Sequence, residues 1–441
     1  MASTQSGSQL LASGQRIKTM LGETAVVKSL IGQGGQGSVY VVSYAGKDMA
    51  LKWYRKNVFI SPSEFKANLK SNIMAGPPAP QFIWPLDMTV DQDDSFGYIM
   101  ELRPKGYYEA TEFLLHNVTF ASFRRAVDAC LNVVSAFRQL HNAGYSYKDI
   151  NGGNFFFDPK TGKALICDND NVAPSSVQTG IIGTPRFMAP EVVTRQTMPN
   201  GHSDRHSMSV LLFMLLCMGH PLEGSRSLCP VLGAAQQLAL YGTDPVFMMD
   251  PDNHVNAPNE IIHRDVVRVW DCFPQYMRDI FVRAFSHDAL TNPQTRPTEK
   301  DWLKALVRFR SDMITCSCGN EVFTEGGAGA VCDACGKPVR SACRLKLKDL
   351  EYSIPLVYDT RLYRVQVGVC NADEALDPIA QVVRSGGSKP VLGLRNASKQ
   401  SWNAITSKGD RRPVAPGEVI PIKPGIQFTV ETETAQILSN Q

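Results

Sequence analysis

The chain has 441 residues, 43% of them apolar and 20% charged, with a net charge of +3. That composition suits folded domains and excludes a disordered chain. So small a net charge gives no electrostatic argument for nucleic acid or an anionic membrane as a partner. The longest apolar run, residues 210–218, is far short of the roughly 20 residues of a membrane span and predicts a buried helix. Met1 to Gly14 is rich in Ser, Gln and Gly, with no basic stretch before an apolar core. No signal peptide is expected there, and residues 1–21 are expected to be a flexible tail. Seven of the eleven cysteines are scattered, several in apolar runs. Together these features point to a reducing, cytoplasmic setting.

In chain order, the first signal is a glycine-rich turn, Gly32-Gln33-Gly34-Gly35-Gln36-Gly37, between two β-like runs. Glycines at the first, third and sixth places let a hairpin lie close against phosphates without Cβ atoms in the way. A strand follows that includes Ala50 and Lys52, whose ammonium could reach those phosphates. Residues 61–73 carry a helix start, with Glu64 as their only acid. Phe123, Val127, Cys130, Leu131, Val134, Phe137 and His141 recur at helical spacing, and Gly144 fits the end of that helix. In Tyr147-Lys148-Asp149-Ile150-Asn151-Gly152-Gly153-Asn154, an Asp precedes an Asn by five residues just before a strand. That spacing can place a base and a metal ligand around one site. Short strands 155–157 and 164–167 lead to Asp168-Asn169-Asp170, acidic groups at a strand end of the kind that hold Mg²⁺ with phosphate oxygens. Helical patterns dominate from about 203 to 309. The order β then α predicts a small sheet lobe followed by a larger helical lobe.

In this order and spacing these elements resemble a eukaryotic-type Ser/Thr protein kinase. Further motifs agree. Tyr98 to Leu102 is similar to the strand entering the hinge, with Met100 as gatekeeper and Glu101, Leu102 and Arg103 facing adenine. The run Gly183 to Glu191 is similar to the end of a Ser/Thr kinase activation segment. Asp204 matches the aspartate opening the buried helix of the large lobe, and Arg296 the arginine that pairs with Glu191. The resemblance implies an α+β, bilobal kinase fold over residues 22–310, with a small lobe at 22–102 and a large lobe at 103–310. It implies that Gly32, Gly34 and Gly37 cover ATP and that Val39, Ala50, Met100, Glu101 and Leu102 line its adenine pocket. Lys52 would hold the α- and β-phosphates, Asp149 would accept the substrate hydroxyl proton, and Asn154 and Asp168 would hold Mg²⁺ or Mn²⁺. Ser175, Ser176, Thr179 and Thr184 are candidate phosphorylation sites, and the implied partner is a protein substrate.

Several positions depart from the family pattern. Asp168-Asn169-Asp170 keeps the metal-binding Asp but lacks the following Phe and Gly. Asp170 is expected to be a solvated loop residue, the alternative being a second carboxylate at the metal. Tyr147-Lys148 replaces His-Arg, and Asn151 stands where Ser/Thr kinases carry Lys, a cation for which Lys148 could substitute. The glutamate of the regulatory helix falls by spacing nearer Lys70. Either Glu64 pairs with Lys52 or, as preferred here, it is a first-turn residue and no such pair forms. The Pro-rich link 75–86, ending in Phe82-Ile83-Trp84-Pro85, resembles a bacterial kinase group. Members of that group often occur beside a metal-dependent Ser/Thr phosphatase and a von Willebrand A-type protein. These departures leave open a nucleotide-binding pseudokinase scaffold and, further off, a small-molecule kinase.

Beyond the lobes, Cys316-Ser317-Cys318-Gly319 and Cys332-Asp333-Ala334-Cys335-Gly336 form two knuckles thirteen residues apart. Four thiolates suit tetrahedral Zn²⁺ and close its coordination, so residues 311–344 are expected to be a structural zinc ribbon. Short β-prone runs at 354–358, 363–367, 391–394 and 427–430 predict an all-β domain over 345–441. That domain loosely resembles forkhead-associated sandwiches but lacks their phosphothreonine-reading pattern. His202, His206 and His220 are expected to pack or face solvent.

Overall fold

The computed structural model describes residues 10–440 apart from 60, 93, 176, 178–182, 230, 326–328, 387, 389, 431 and 432. The candidate phosphosites Ser176 and Thr179 and residues 326–328 of the expected zinc ribbon lie outside the described residues.

The small lobe is a six-stranded antiparallel sheet. Its order is Arg16–Lys18, Thr24–Gln33, Gly37–Tyr44, Lys47–Tyr54, Gly97–Glu101 and Pro85–Met88. The sheet begins before residue 22, because Ile17 has a buried place against Val27, Tyr40 and Val42. Residues 16–18 are therefore an edge strand and not part of a tail. The sheet's other face receives the helix Pro62–Ala75, which starts with Pro62 and buries Phe65, Leu69 and Asn72, an i, i+4, i+7 stripe. Phe65 stacks on Phe59 and meets the edge of Tyr54. Replacing the fully buried Leu69 by Ala would cost about 2–5 kcal/mol.

The Pro-rich link leaves this helix and enters the interface between the lobes. Phe82 and Trp84 are buried in the large-lobe core. The Trp84 indole N–H also donates to the Asn72 carbonyl at 2.8 Å, satisfying a group near the helix C-terminus.

The large lobe is organised by two helices. Phe123–Asn142 follows the apolar spacing in the sequence, and Gly144 takes the left-handed backbone (φ 82°) just past its end. Gly201–Cys217 begins in a capping box between Asn200 and Ser203 and is buried nearly all round. Its apolar run is thus a core helix through Cys217, as its length predicts, with Met218 as the exposed left-handed cap. Among the described residues no helix is long and apolar enough to cross a membrane.

The helix Glu299–Ser311 leads directly into the hairpin of Met313–Thr315 and Glu321–Phe323. Phe323 stacks on Phe309 at 4.5 Å, so this hairpin packs on the large lobe. The strand Cys343–Leu347 already belongs to the C-terminal β region, paired with Glu433–Ser439. Two sheets, of six and four strands, share one apolar core that includes Leu345, Leu362, Val382, Leu394, Trp402 and Phe428. The expected strand at 363–367 stops at Tyr363. Arg364–Gln366 turns instead into a 3₁₀ helix, because Tyr363 and Val365 are drawn into the large-lobe core.

This region is tied to the large lobe by buried charge. Arg310, 1% exposed, bonds Asp128 at 2.5 Å and Asp359 at 3.0 Å, and Arg125 bonds the same two acids. Removing one member would strand its partners out of water, which costs far more than the net worth of the intact pairs.

Candidate functional site

The glycine turn is a tight hairpin. Gln33 pairs with Ser38, Gly32 with Val39, and the Gly34 amide donates to the Gly37 carbonyl at 2.8 Å. The glycines serve different purposes. A Cβ on Gly32, Gly34 or Gly35 would meet nothing within 4 Å, so these positions face open space. A Cβ on Gly37 would lie 2.2 Å from the Trp53 carbonyl. Gly37 is therefore required by strand packing inside the sheet rather than by closeness to a phosphate.

Below the hairpin, Val39, Ala50, Met100 and Leu102 join one apolar cluster, with Ala50 directly opposite Met100 across two strands. Glu101 is exposed beside it. Leu165, which the sequence did not single out, closes this cluster from the large lobe.

Lys52 is 5% exposed. Its Nζ donates to Asp168 Oδ1 at 2.5 Å, to Asp170 Oδ2 at 2.8 Å and to Gln36 Oε1 at 3.3 Å. Asp170 is fully buried and also accepts from the Tyr54 hydroxyl. This corrects the expectation of a solvated loop residue. Burial opposes the Lys52 charge, but the carboxylates, Asp170 ahead of Asp168, hold it above the ordinary lysine value. Burial, then the charge of Asp170, pushes the Tyr54 phenol well up, which keeps it a donor. The Asp168 carboxyl is raised mainly by burial, against the pull of Lys52 and with a push from Asp170. Asp168 also sits at φ 56°, a left-handed conformation unusual for a residue other than glycine.

Glu64 is exposed in the first turn of its helix and makes no ion pair among the described residues. Lys70, where spacing placed the regulatory acid, is exposed as well. The inner face of that helix carries Asn68 and Asn72 instead. Both donate to the Val172 carbonyl, at 2.9 and 2.7 Å. Asn169, in the place of the family's Phe, is fully buried and donates to the carbonyls of Ile83 and Ile166. The contact between this helix and the segment after Asp168 is thus made by hydrogen bonds.

The loop 147–154 is pinned from below. Asp204 accepts from the amides of Tyr147 and Lys148 at 2.7 and 2.9 Å and bonds His141 at 3.1 Å. Glu299 holds the other His141 nitrogen at 2.8 Å. Burial works against the imidazolium, but the two acids raise the His141 pKa to about 9. Tyr147 donates to the Cys167 carbonyl at 2.5 Å. Lys148, at φ 72°, sends its ammonium to the Val177 carbonyl and not toward Asp149, so it does not stand in for the missing lysine at Asn151. Burial lowers its pKa to about 8.

Asp149 lies above this clamp. Burial raises its carboxyl, while bonds from Asn151 and Thr184 and the charge of Lys52 act the other way. Thr184 donates to Asp149 Oδ1 at 3.3 Å, so this candidate phosphosite is a neighbour of the site. Ser175 is exposed. Asn154 donates through Nδ2 to the Asp149 carbonyl at 3.0 Å, which leaves its carboxamide oxygen as the end suited to a cation. A hard divalent ion takes such oxygens together with a carboxylate, so Asn154 and Asp168 fit Mg²⁺ as a donor set. Glu191 and Arg296 form a buried two-pronged pair with both bonds at 2.8 Å.

At the knuckles, all four cysteine sulfurs lie within 4.8 Å of one another. Cys316–Cys335 and Cys318–Cys332 are each 3.6 Å apart. Bonds of about 2.3 Å to a central tetrahedral zinc put sulfurs roughly 3.8 Å apart, so the donor set fits that ion. Gly319 and Gly336 adopt φ values of 93° and 68°, the turn each knuckle needs.

Comparison with known proteins adds sequence-wide findings. The chain is 25% identical over 276 residues to "Dual specificity protein kinase shkB" of Dictyostelium discoideum, covering 61% of this chain and 37% of that protein. It is 26% identical over 302 residues to "Serine/threonine-protein kinase pkn3" of Myxococcus xanthus, covering 64% of this chain and 49% of that protein. The match therefore spans less than half the length of either relative. Among solved structures, the Mycobacterium tuberculosis PknI kinase domain is 18% identical, with 68% of this chain and 98% of that chain covered and a TM-score of 0.43. Residues 25–304, more than half the chain, match the model described as "Protein kinase domain", and the chain belongs to that family.

Proposed function

We propose that this protein is an ATP- and Mg²⁺-dependent kinase that transfers the γ-phosphoryl group to Ser or Thr of protein substrates, in bacterial-type signalling. The observation that carries this reading is the convergence of Lys52, Asp168 and Asp149 below a glycine hairpin and beside the apolar cluster of Val39, Ala50 and Met100. Lys52 is held charged where it can grip phosphate oxygens. Asp149, with its carboxyl raised by burial, is suited to take a proton from a substrate hydroxyl, and Thr184 orients it. Asn154 and Asp168 would hold the cation, which when bound supplies neutralisation of phosphate charge. Asp204 fixes the loop that carries Asp149, so the base does not have to be ordered at the moment of reaction.

Incubation with γ-labelled ATP tests this. Label is expected on Ser/Thr of the protein or a generic acceptor, and its loss in Lys52→Ala and Asp168→Ala. A second reading, a nucleotide-binding pseudokinase scaffold, is favoured by one observation: Lys148 engages Val177, leaving Asp149 without a second nearby lysine among the described residues. Nucleotide binding with no label transfer to any acceptor would select it.

Within the same proposal, Cys316, Cys318, Cys332 and Cys335 form a structural zinc ribbon, and the C-terminal sheets act as a β interaction domain of loosely forkhead-associated type. Elemental analysis of purified protein should find about one zinc per chain, lost in Cys332→Ser. A folded, metal-free wild type would sink that part. A metal-dependent phosphatase and a von Willebrand A-type protein as partners rest on the sequence resemblance alone.

A further inference from the structure

Kinases of this family position the phosphate-binding lysine with a glutamate on the regulatory helix. Here that helix has one acid, Glu64, exposed in its first turn. The lysine still has a buried partner from elsewhere in the chain. Asp170 is 0% exposed, lies 2.8 Å from Lys52 Nζ and accepts from Tyr54, which follows Lys52 on the same strand by two residues. Side chains two apart on a strand share a face, so Lys52 and Tyr54 together grasp one carboxylate from the opposite lobe. A buried carboxylate persists only when it is paired and hydrogen-bonded, and Oδ2 of Asp170 meets both conditions, while its buried Oδ1 has no hydrogen-bond partner among the described residues.

We propose that Asp170 is the positioning residue for Lys52. In this chain the ion pair usually made by the regulatory helix is made instead by the residue two after the metal-binding aspartate. The inference rests on the kinase reading above. The placement of Lys52 is consequently set by the activation segment, anchored through Asn169, and not by the regulatory helix. The helix reaches the same segment through Asn68 and Asn72 at the Val172 carbonyl, two residues after Asp170, and offers Lys52 no carboxylate of its own among the described residues.

The test measures binding of MgATP and of adenosine, which lacks phosphates, to the full chain by calorimetry. Asp170→Asn should weaken MgATP by about tenfold or more while adenosine affinity stays unchanged. Asp170→Glu should recover part of the loss, and Glu64→Gln should alter neither ligand. Lys52→Ala should lose MgATP affinity similarly, and the double variant Lys52→Ala/Asp170→Asn should be no worse than Lys52→Ala. Losses that multiply in the double variant, equal MgATP binding by Asp170→Asn and wild type, or a Glu64→Gln defect would each overturn the assignment alone. Wild type that binds neither ligand would overturn the kinase reading and the assignment with it. Should Asp170→Asn also lose adenosine through misfolding, Tyr54→Phe carries the test. It should weaken MgATP by about threefold with adenosine unchanged, and no change would overturn the proposal.

Discussion

The two sides of the candidate nucleotide site are built differently. On the catalytic-loop side, Asp149 and Asn154 sit on a short loop clamped by Asp204, His141 and Glu299, and the roles expected of them follow from local spacing. On the regulatory-helix side, four polar residues, Asn68, Asn72, Asn169 and Asp170, occupy the contact. The first side tolerates replacement of His-Arg by Tyr147-Lys148 because its anchor is backbone amides held by one carboxylate. The second side has exchanged apolar packing and a helix-borne glutamate for directional bonds. Such bonds fix one arrangement well but make each member costly to lose.

The strongest test of the contrast is Asp149→Asn. It should lower phosphoryl transfer by about 10²–10⁴-fold while leaving MgATP binding intact, because the role proposed for Asp149 is on the acceptor and not on the nucleotide. Equal losses in both would merge the two sides into one unit. Next in size, Asn169→Leu should destabilise the protein by about 1–3 kcal/mol, since the buried Ile83 carbonyl loses its donor. Thermal denaturation would show a lowered midpoint, and an unchanged midpoint would mean the polar seam is incidental.

The pH dependence separates the sides further. Burial raises Asp149, so the acid limb of the rate should lie above the ordinary carboxylate range. Thr184→Val removes a bond that favours the ionised form and should move that limb higher still. The clamp gives the last test. The folded-state pKa of His141 is raised from 6.5 to about 9. Its stabilisation is therefore full below 6.5 and is lost as pH rises through about 9. Melting temperature should fall across that window, and His141→Asn should flatten the fall.

Much of the fold was legible because its signals are local. The helix Phe123–Asn142 shows its apolar stripe directly, and the strand Gln427–Val430 appears where alternation placed it. The β region's attachment was not legible, because the Arg310–Asp128–Asp359 network joins charges far apart in sequence that read separately as surface residues. The small-lobe edge strand was missed for a related reason. Three residues around Ile17 carry too little pattern to announce a strand, and only the buried slot beside Val42 decides it.

By itself the sequence determined the local geometry of each candidate site element. The glycine hairpin, Lys52 on its strand, the five-residue step from Asp149 to Asn154 and the paired cysteine knuckles each have their geometry set by short stretches of backbone. Only the tertiary structure decided what Lys52 is paired with. Asp170 lies 118 residues away in a polar run that looks like a solvated turn. Its burial is created by the docking of two lobes, and a charge's worth depends on what surrounds it rather than on what precedes it in the chain.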